Sequence, residues 1–277
     1  MMLKRLLRFG GENDFGFLGN LIVSVVGFML IISAWHVEAV YGLIPTNILP
    51  DPFNVVRSYV PLLNDYNMIP NAWFSIKMNL LCYVYAIALS LPIGFVITVY
   101  PIFNILIAKY TTVIRFLPLP AITGIFVAIF GLTFNMKVWF LTIALMVYII
   151  PTVVNKINDL QNPRNDKDNV YLQTITTLGA TNWQKFRYVY FPYVTAGVAD
   201  TCKDLLAVSW TYVTICELIY KDGDVIGIGA LINAMVRQAK MPEVYALLLV
   251  VLLIGFMQDI IFGKLIKKLF PYRSSET

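Results

Sequence analysis

The sequence predicts an all-α, polytopic membrane protein with about six transmembrane helices. Of the 277 residues, 58% are hydrophobic and 13% are charged, whereas soluble domains carry about 25% charged residues. Such a low charged fraction leaves too little polar surface to coat a soluble globule. A backbone in lipid must satisfy its own hydrogen bonds, which helices do, and the alternating ten-residue segments of a membrane barrel are not found in the sequence.

Six apolar segments long enough to cross a bilayer follow one another along the chain. They are residues 15–35, 73–100, 110–133, 138–154, 193–220 and 242–266. Because the connections are short, we expect one membrane domain over residues 1–277. The third segment holds Pro118 and Pro120, which rule out a regular helix at that point.

The connection between the first two spans, residues 41–70, is polar and rich in proline and asparagine. Asp51 is expected to cap a short helix that starts at Pro52. One apolar stripe of this helix recurs with helical spacing and suits the membrane interface. The stripe consists of Phe53, Val56, Val60 and Leu63.

Charge sets the expected orientation. The net charge is +5, and with the N-terminus in the cytoplasm about two-thirds of the lysines and arginines fall on the cytoplasmic side. Both termini are therefore predicted to be cytoplasmic, and the basic excess indicates cytoplasmic loops rather than nucleic-acid binding. The three cysteines lie in apolar segments without CxxC spacing, and a single histidine cannot make a metal site unaided.

Residues 168–192 form an amphipathic stretch between very apolar segments, and we call residues 165–192 the polar segment. Its first apolar stripe ends at Leu178, and Gly179 suits the left-handed residue that terminates a helix. Thr181 or Asn182 can cap a second helix. The second stripe consists of Trp183, Phe186 and Tyr190. Two short helices joined by a glycine turn suit docking into a partner's groove or, equally, lying on lipid or packing under the protein's own spans.

The fifth segment is unusually polar for a membrane span. Glu217 should face the protein interior because a carboxylate at mid-bilayer costs roughly 2.5 to 3.5 kcal/mol. A structural or gating role for Glu217 is favoured over direct contact with a solute. The further candidates for a pathway or gate are Asp200, Lys203, Trp210 and Thr214, for which ordinary helix packing is the alternative.

Residues 178–181 (LGAT), followed by Phe186, Val189 and Pro192, resemble the EAA signature of binding-protein-dependent ABC importer permeases. The spacing from the LGA triplet to the proline matches the signature throughout. Gln173 stands where the signature has glutamate, and Thr174 and Ile175 stand where it has two alanines.

Other motifs are similar to those of the nitrate, taurine, alkanesulfonate and bicarbonate subfamily, in the same order. Trp35 is followed by GLIP and LPDP, LPIG at 91–94 resembles the second-span motif, and RFLPLP at 115–120 resembles FLRPIPP. Trp210 with CEL at 216–218, and GIGALI at 227–232, are similar to the AW…AEM and GLGYLI motifs.

The resemblance implies a type I ABC importer permease fold, with its core at about residues 73–268. It further implies that two copies form a translocation path, that partner ATPase subunits bind ATP and Mg²⁺, and that an extracytoplasmic protein delivers substrate. The chain has no Walker A motif. The residues that the resemblance places at the ATPase contact are Gln173, Leu178, Gly179, Ala180, Thr181 and Phe186.

Two other functions compete with an importer permease. A secondary transporter would need a midplane site with broken helices in repeated halves, and only the proline-interrupted third segment hints at one. A membrane scaffold that recruits a cytoplasmic partner through the polar segment would need no translocation path. The transported solute cannot be deduced from the sequence.

Overall fold

A computed structural model describes residues 17–42, 44–108, 110, 113–162, 166–219 and 226–271, which are helical with no strand among them. Some basic residues used to predict orientation lie outside the described residues: those of the N-terminal segment, Lys109, Arg164 and Arg273. Leu43 and Tyr220 lie outside them as well. The helices, in chain order, are α1 (Phe17–Tyr41), α2 (Pro52–Arg57), α3 (Tyr59–Asn64), α4 (Met68–Val99), α5 (Thr123–Phe130), α6 (Phe134–Gln161), α7 (Asp166–Thr177), α8 (Asn182–Lys185), α9 (Phe191–Asp204), α10 (Leu206–Leu218), α11 (Ile228–Arg237) and α12 (Met241–Leu269).

Four helices are long and apolar enough to cross a membrane: α1, α4, α6 and α12. They correspond to the first, second, fourth and sixth predicted spans. The all-α, polytopic prediction is confirmed, although the third and fifth spans are not single helices. The third consists of short pieces, the 3₁₀ turns Ile114–Phe116 and Leu119–Ile122 followed by α5. The two prolines explain this break, because neither can donate a backbone hydrogen bond.

The fifth predicted span consists of α9 and α10, which meet at Leu205. Leu205 is the one residue between them and has a backbone bond of helical spacing to each side, from its amide to the Thr201 carbonyl (2.9 Å) and from the Ser209 amide to its carbonyl (2.8 Å). At its other end, α9 continues α8 through a π-helical stretch, Phe186–Tyr190. Residues 182–218 therefore follow one helical path. Pro192 does not interrupt it, because it lies in the first turn of α9.

The largest helix contact in the bundle joins α4 and α6. At Gly94 the two helices come so close that a Cβ atom would lie 2.4 Å from Cγ1 of Val153. Small residues at such crossings matter in lipid, where packing rather than hydrophobic expulsion holds helices together. The bundle core includes Met78, Phe140 and Leu145, all buried. In the middle of the structure, α6 thus contacts α4, α9 and α10.

The N-terminal helix α1 lies at the edge of this bundle, and none of its most apolar 18-residue window is buried. Trp35 attaches it by an indole hydrogen bond to the Pro50 carbonyl (3.0 Å) and by a ring contact with Tyr245. Asp51 caps α2 as predicted, accepting from the Phe53 amide at 3.2 Å. The apolar stripe predicted for this connection is exposed: Phe53, Val56, Val60 and Leu63.

Candidate functional site

The turn of the polar segment has the geometry that its sequence predicts. Gly179 has a φ of +74°. Its amide bonds the Thr176 carbonyl (3.0 Å), and the Ala180 amide reaches back to the Ile175 carbonyl (3.2 Å). This pair of bonds is a Schellman motif, which satisfies carbonyls left free at the end of α7.

The second helix of the polar segment starts with a capping box. The Thr181 hydroxyl accepts from the Gln184 amide (3.4 Å), and the Gln184 side chain accepts from the Thr181 amide (2.7 Å). Of the two predicted caps, Thr181 is therefore the one used. The box fixes the direction in which the chain leaves the turn.

Large apolar side chains on the polar segment are exposed. Leu178 is 78% exposed and Trp183 is 67% exposed, and Tyr171 and Tyr188 are also open. Gln173 lies on the exposed part of α7, and Ala180 is half-buried. In a single chain, the turn and its flanks thus present a patch of aromatic and aliphatic surface around Gly179.

Phe186 attaches the polar segment to the bundle. Its ring is half-buried and meets Phe95 of α4 edge-on, with centroids 5.0 Å apart. Trp183 stacks on Phe186 at 5.6 Å, and Phe191 lies 6.1 Å away. The exposed Trp183 is therefore linked by ring contacts to α4 and to the start of α9.

A groove of about 630 Å³ runs between α10 and α12 and contains three of the predicted pathway residues, Lys203, Trp210 and Thr214. We call it the α10–α12 groove. Asp200 and Glu217 are not among the residues that line it. Its wall is mainly apolar, with Leu248, Val251 and Phe256 among the lining residues.

Charges gather at one end of the α10–α12 groove. The Lys203 ammonium lies 3.8 Å from a carboxylate oxygen of Asp259, with both side chains partly exposed, and Asp204 lines the same end. The indole N–H of Trp210 donates to the buried Gln258 side chain at 2.6 Å, which holds the ring in place. Among the described residues, no group of three or more His, Cys, Asp or Glu side chains could hold a metal ion.

Glu217 lies elsewhere, fully buried at the end of α10. One carboxylate oxygen accepts from the Ser75 hydroxyl (2.7 Å) and the other from the Gly229 amide (2.8 Å). The sequence does not identify Ser75 or α11, to which Gly229 belongs, because α11 falls between the fifth and sixth predicted spans. The apolar spacing of Ile228, Leu231 and Met235 in α11 was the available signal.

The chain resembles known transport proteins over most of its length. No protein-family model matches it. A protein of Brucella melitensis named as an ABC transporter permease is 21% identical over 242 residues, which cover 87% of this chain and 93% of that protein. A protein of Bacillus subtilis named as an aliphatic sulfonates transport permease is 22% identical over 265 residues, covering 96% of this chain and 91% of the relative. This similarity supports an ABC importer permease of the predicted subfamily.

Proposed function

We propose that the chain is the transmembrane permease of an ATP-driven importer and that the polar segment is its contact with a separate ATPase. The exposed patch around Gly179 carries this proposal. Leu178 and Trp183 are 78% and 67% exposed. They lie between the fourth and fifth predicted spans, in a connection whose five basic residues predict a cytoplasmic position. Exposed aromatic and aliphatic side chains at a fixed turn are typical anchors for a groove on a partner protein.

The ring contacts of Phe186 supply a route from the ATPase to the membrane helices. When two ATPase subunits close around ATP, a push on the patch would act through Phe186 on Phe95 of α4 and along the helical path of residues 182–218. The helices would tilt as rigid bodies between two packings. ATP and Mg²⁺ would be bound by the partner, and this chain would supply no catalytic residue.

The α10–α12 groove is our candidate for part of the translocation path, in a dimer of two copies of the chain. Its apolar wall with a few polar groups suits a small solute. Nitrate, a sulfonate, taurine, bicarbonate and a small organic nutrient are the solutes we propose to test. An extracytoplasmic binding protein would deliver the solute, and both termini would be cytoplasmic.

Co-purification tests the ATPase contact. The wild-type chain should retain an ABC ATPase co-expressed with it as candidate partner when the complex is extracted in mild detergent. Leu178→Asp should lose that ATPase without unfolding, because a surface substitution at a 78% exposed side chain usually changes stability by no more than about 0.5 kcal/mol. Leu132→Asp, at another exposed leucine at the outer end of the third predicted span, is the matched control and should retain the ATPase.

The same experiment separates the competing functions. A secondary transporter would take up solute with no ATPase present, in response to an ion gradient. A scaffold would retain a cytoplasmic partner yet transport nothing when reconstituted with ATPase and binding protein. Retention of the ATPase by Leu178→Asp would contradict the proposed contact.

A further inference from the structure

The external helix α11 is tied to the bundle through its first turn. It starts after Gly227, whose φ is +103°, and its inward face is buried at Ile228, Leu231 and Met235. The first amides of a helix have no partner within it and need acceptors from elsewhere. In α11 those acceptors are side chains of two membrane helices.

Three buried side chains bind these amides. The Gly227 amide donates to the Asn71 side-chain oxygen (2.8 Å), the Ile228 amide to the Ser75 hydroxyl (2.9 Å), and the Gly229 amide to Glu217 (2.8 Å). Ser75 in turn donates to the other oxygen of Glu217. A carboxylate at a helix N-terminus also interacts favourably with the helix dipole. We call Asn71, Ser75 and Glu217 the α11 lock.

The packing leaves little freedom around the lock. A Cβ atom on Gly227 would lie 2.4 Å from the Glu217 carboxylate carbon, and one on Gly229 would lie 2.7 Å from the Thr214 carbonyl oxygen. The buried cation Lys137 acts electrostatically on Glu217 from the start of α6. Breaking the lock would expose a buried carboxylate and several amides to an apolar interior, which is costly.

Glu217 of the α11 lock lies at the C-terminal end of the helical path that begins in the polar segment. Residues 182–218 run from the Thr181 cap to the last turn of α10, where Glu217 lies. Within this path, α9 and α10 are separated only by Leu205, whose amide and carbonyl each bond to one of the two helices, and both helices pack against α6. Whatever tilts α9 and α10 at the polar segment must therefore also displace Glu217.

We propose that Glu217 is a positioning residue that locks α11 to α10 and thereby passes movement of the polar segment to the external surface. The proposal rests on the proposed function and its topology, which put α11 where a binding protein would touch the permease. Glu217 then serves as a mechanical link between the two sides of the membrane and is not a contact for the solute.

Glu217→Gln tests the lock, because glutamine keeps the shape of the side chain but loses the negative charge that faces the N-terminus of α11, and its NH2 group then has only the Ser75 hydroxyl to bond, which already accepts from the Ile228 amide. In the whole complex in lipid nanodiscs, hydrogen exchange of the amides in residues 226–237 should rise about tenfold, with α6 unchanged. Glu243→Gln, the same substitution in the first turn of α12, is the control and should change neither helix.

A second readout separates transmission from local structure. The ratio of binding-protein-stimulated to basal ATP hydrolysis should fall about fivefold or more in Glu217→Gln and stay at the wild-type value in Glu243→Gln. Ser75→Ala removes one donor to Glu217. It should raise hydrogen exchange in α11 and lower the stimulation ratio by smaller amounts, and it replaces Glu217→Gln as the test if that variant does not fold.

Two results would overturn the proposal: unchanged exchange in α11, or raised exchange with full stimulation. These results differ from a failure of the proposed function, in which the wild-type chain would retain no ATPase. Hydrogen exchange in α11 could still be measured in that case on the purified chain without partners.

Discussion

The two ends of the helical path at residues 182–218 are built in opposite ways. At the polar segment, apolar side chains are exposed, with Leu178 78% and Trp183 67% open. At the α11 lock, polar side chains are buried, and Glu217 and Ser75 are both 0% exposed. In the single chain, the apolar side chains of the polar segment are exposed to the surroundings. The polar side chains of the α11 lock already form hydrogen bonds within the chain.

This difference assigns different tasks to the two ends. An exposed apolar patch gains free energy when a partner covers it, so the polar segment is suited to reversible docking. A buried, fully bonded carboxylate loses free energy when its contacts open, so the lock is suited to holding two elements together. Substitutions at the lock should therefore lower stability most, and substitutions in the exposed patch should lower partner binding most.

The largest expected effect is at Gly227. Gly227→Ala places a Cβ atom 2.4 Å from the Glu217 carboxylate carbon in a backbone conformation, φ +103°, that side chains avoid. Strain and overpacking together should lower the free energy of unfolding by about 3 kcal/mol, measured by denaturation in mixed micelles. Because both substitutions act on one contact, the double variant with Glu217→Ala should lose less than the sum of the two single losses, and strictly additive losses would show that the two residues do not interact as described.

Alanine substitutions of Phe186 and Trp183 should distinguish the residue that anchors the polar segment to the bundle from the residue that contacts the ATPase. Phe186→Ala removes the contact with Phe95, so we expect a loss of about 1.5 kcal/mol, less than for a fully buried phenylalanine. Trp183→Ala should cost about 0.5 kcal/mol yet release more ATPase in the co-purification assay. Equal stability losses from the two variants would contradict the division between an anchored and an open ring.

The sequence predicts the long helices and the turn of the polar segment because both depend on local features. Apolar length suffices for α1, α4, α6 and α12, and Gly179 with Thr181 suffices for a helix end followed by a cap. The break in the third span was likewise predictable, since Pro118 and Pro120 remove backbone donors wherever they occur.

The α11 lock was beyond prediction because it joins distant parts of the chain. Ser75 is 142 residues from Glu217, and Asn71 is 156 residues from Gly227. A serine or asparagine in an apolar helix has many possible hydrogen-bond partners. Its actual partner is determined by the packing of α4 against α10 and α11. The sequence also does not predict that the helical path continues through Pro192. A proline in the first turn of a helix is compatible with that helix, and the π-helical stretch before Pro192 is not visible in the residue pattern.

A substitution at Gly179 should be milder than the same one at Gly227. Both glycines have positive φ, but a Cβ atom on Gly179 would meet nothing within 4 Å. Gly179→Ala should therefore cost only the strain of a left-handed alanine, about 1 kcal/mol. Gly179→Asn should cost less, because asparagine tolerates this conformation. A loss as large as that of Gly227→Ala would mean that the turn is packed against a neighbour.

Ala239 provides the smallest and most specific test, because it occupies at the end of α11 the position that Gly179 occupies at the end of α7. Its φ is +56°, and the same two bonds are present, from the Ala239 amide to the Val236 carbonyl (3.0 Å) and from the Lys240 amide to the Met235 carbonyl (3.0 Å). Ala239→Gly should relieve the strain, partly offset by a more flexible unfolded chain, and stabilise the protein by about 0.5 kcal/mol.

The control for Ala239→Gly is Ala234→Gly, inside α11, where the same substitution should destabilise by about 1 kcal/mol. Opposite signs for two identical substitutions five residues apart can arise only from the backbone conformation at each site. If both variants were destabilised equally, α11 would not end in the left-handed turn at Ala239, and the similarity between its end and the turn of the polar segment would have to be abandoned.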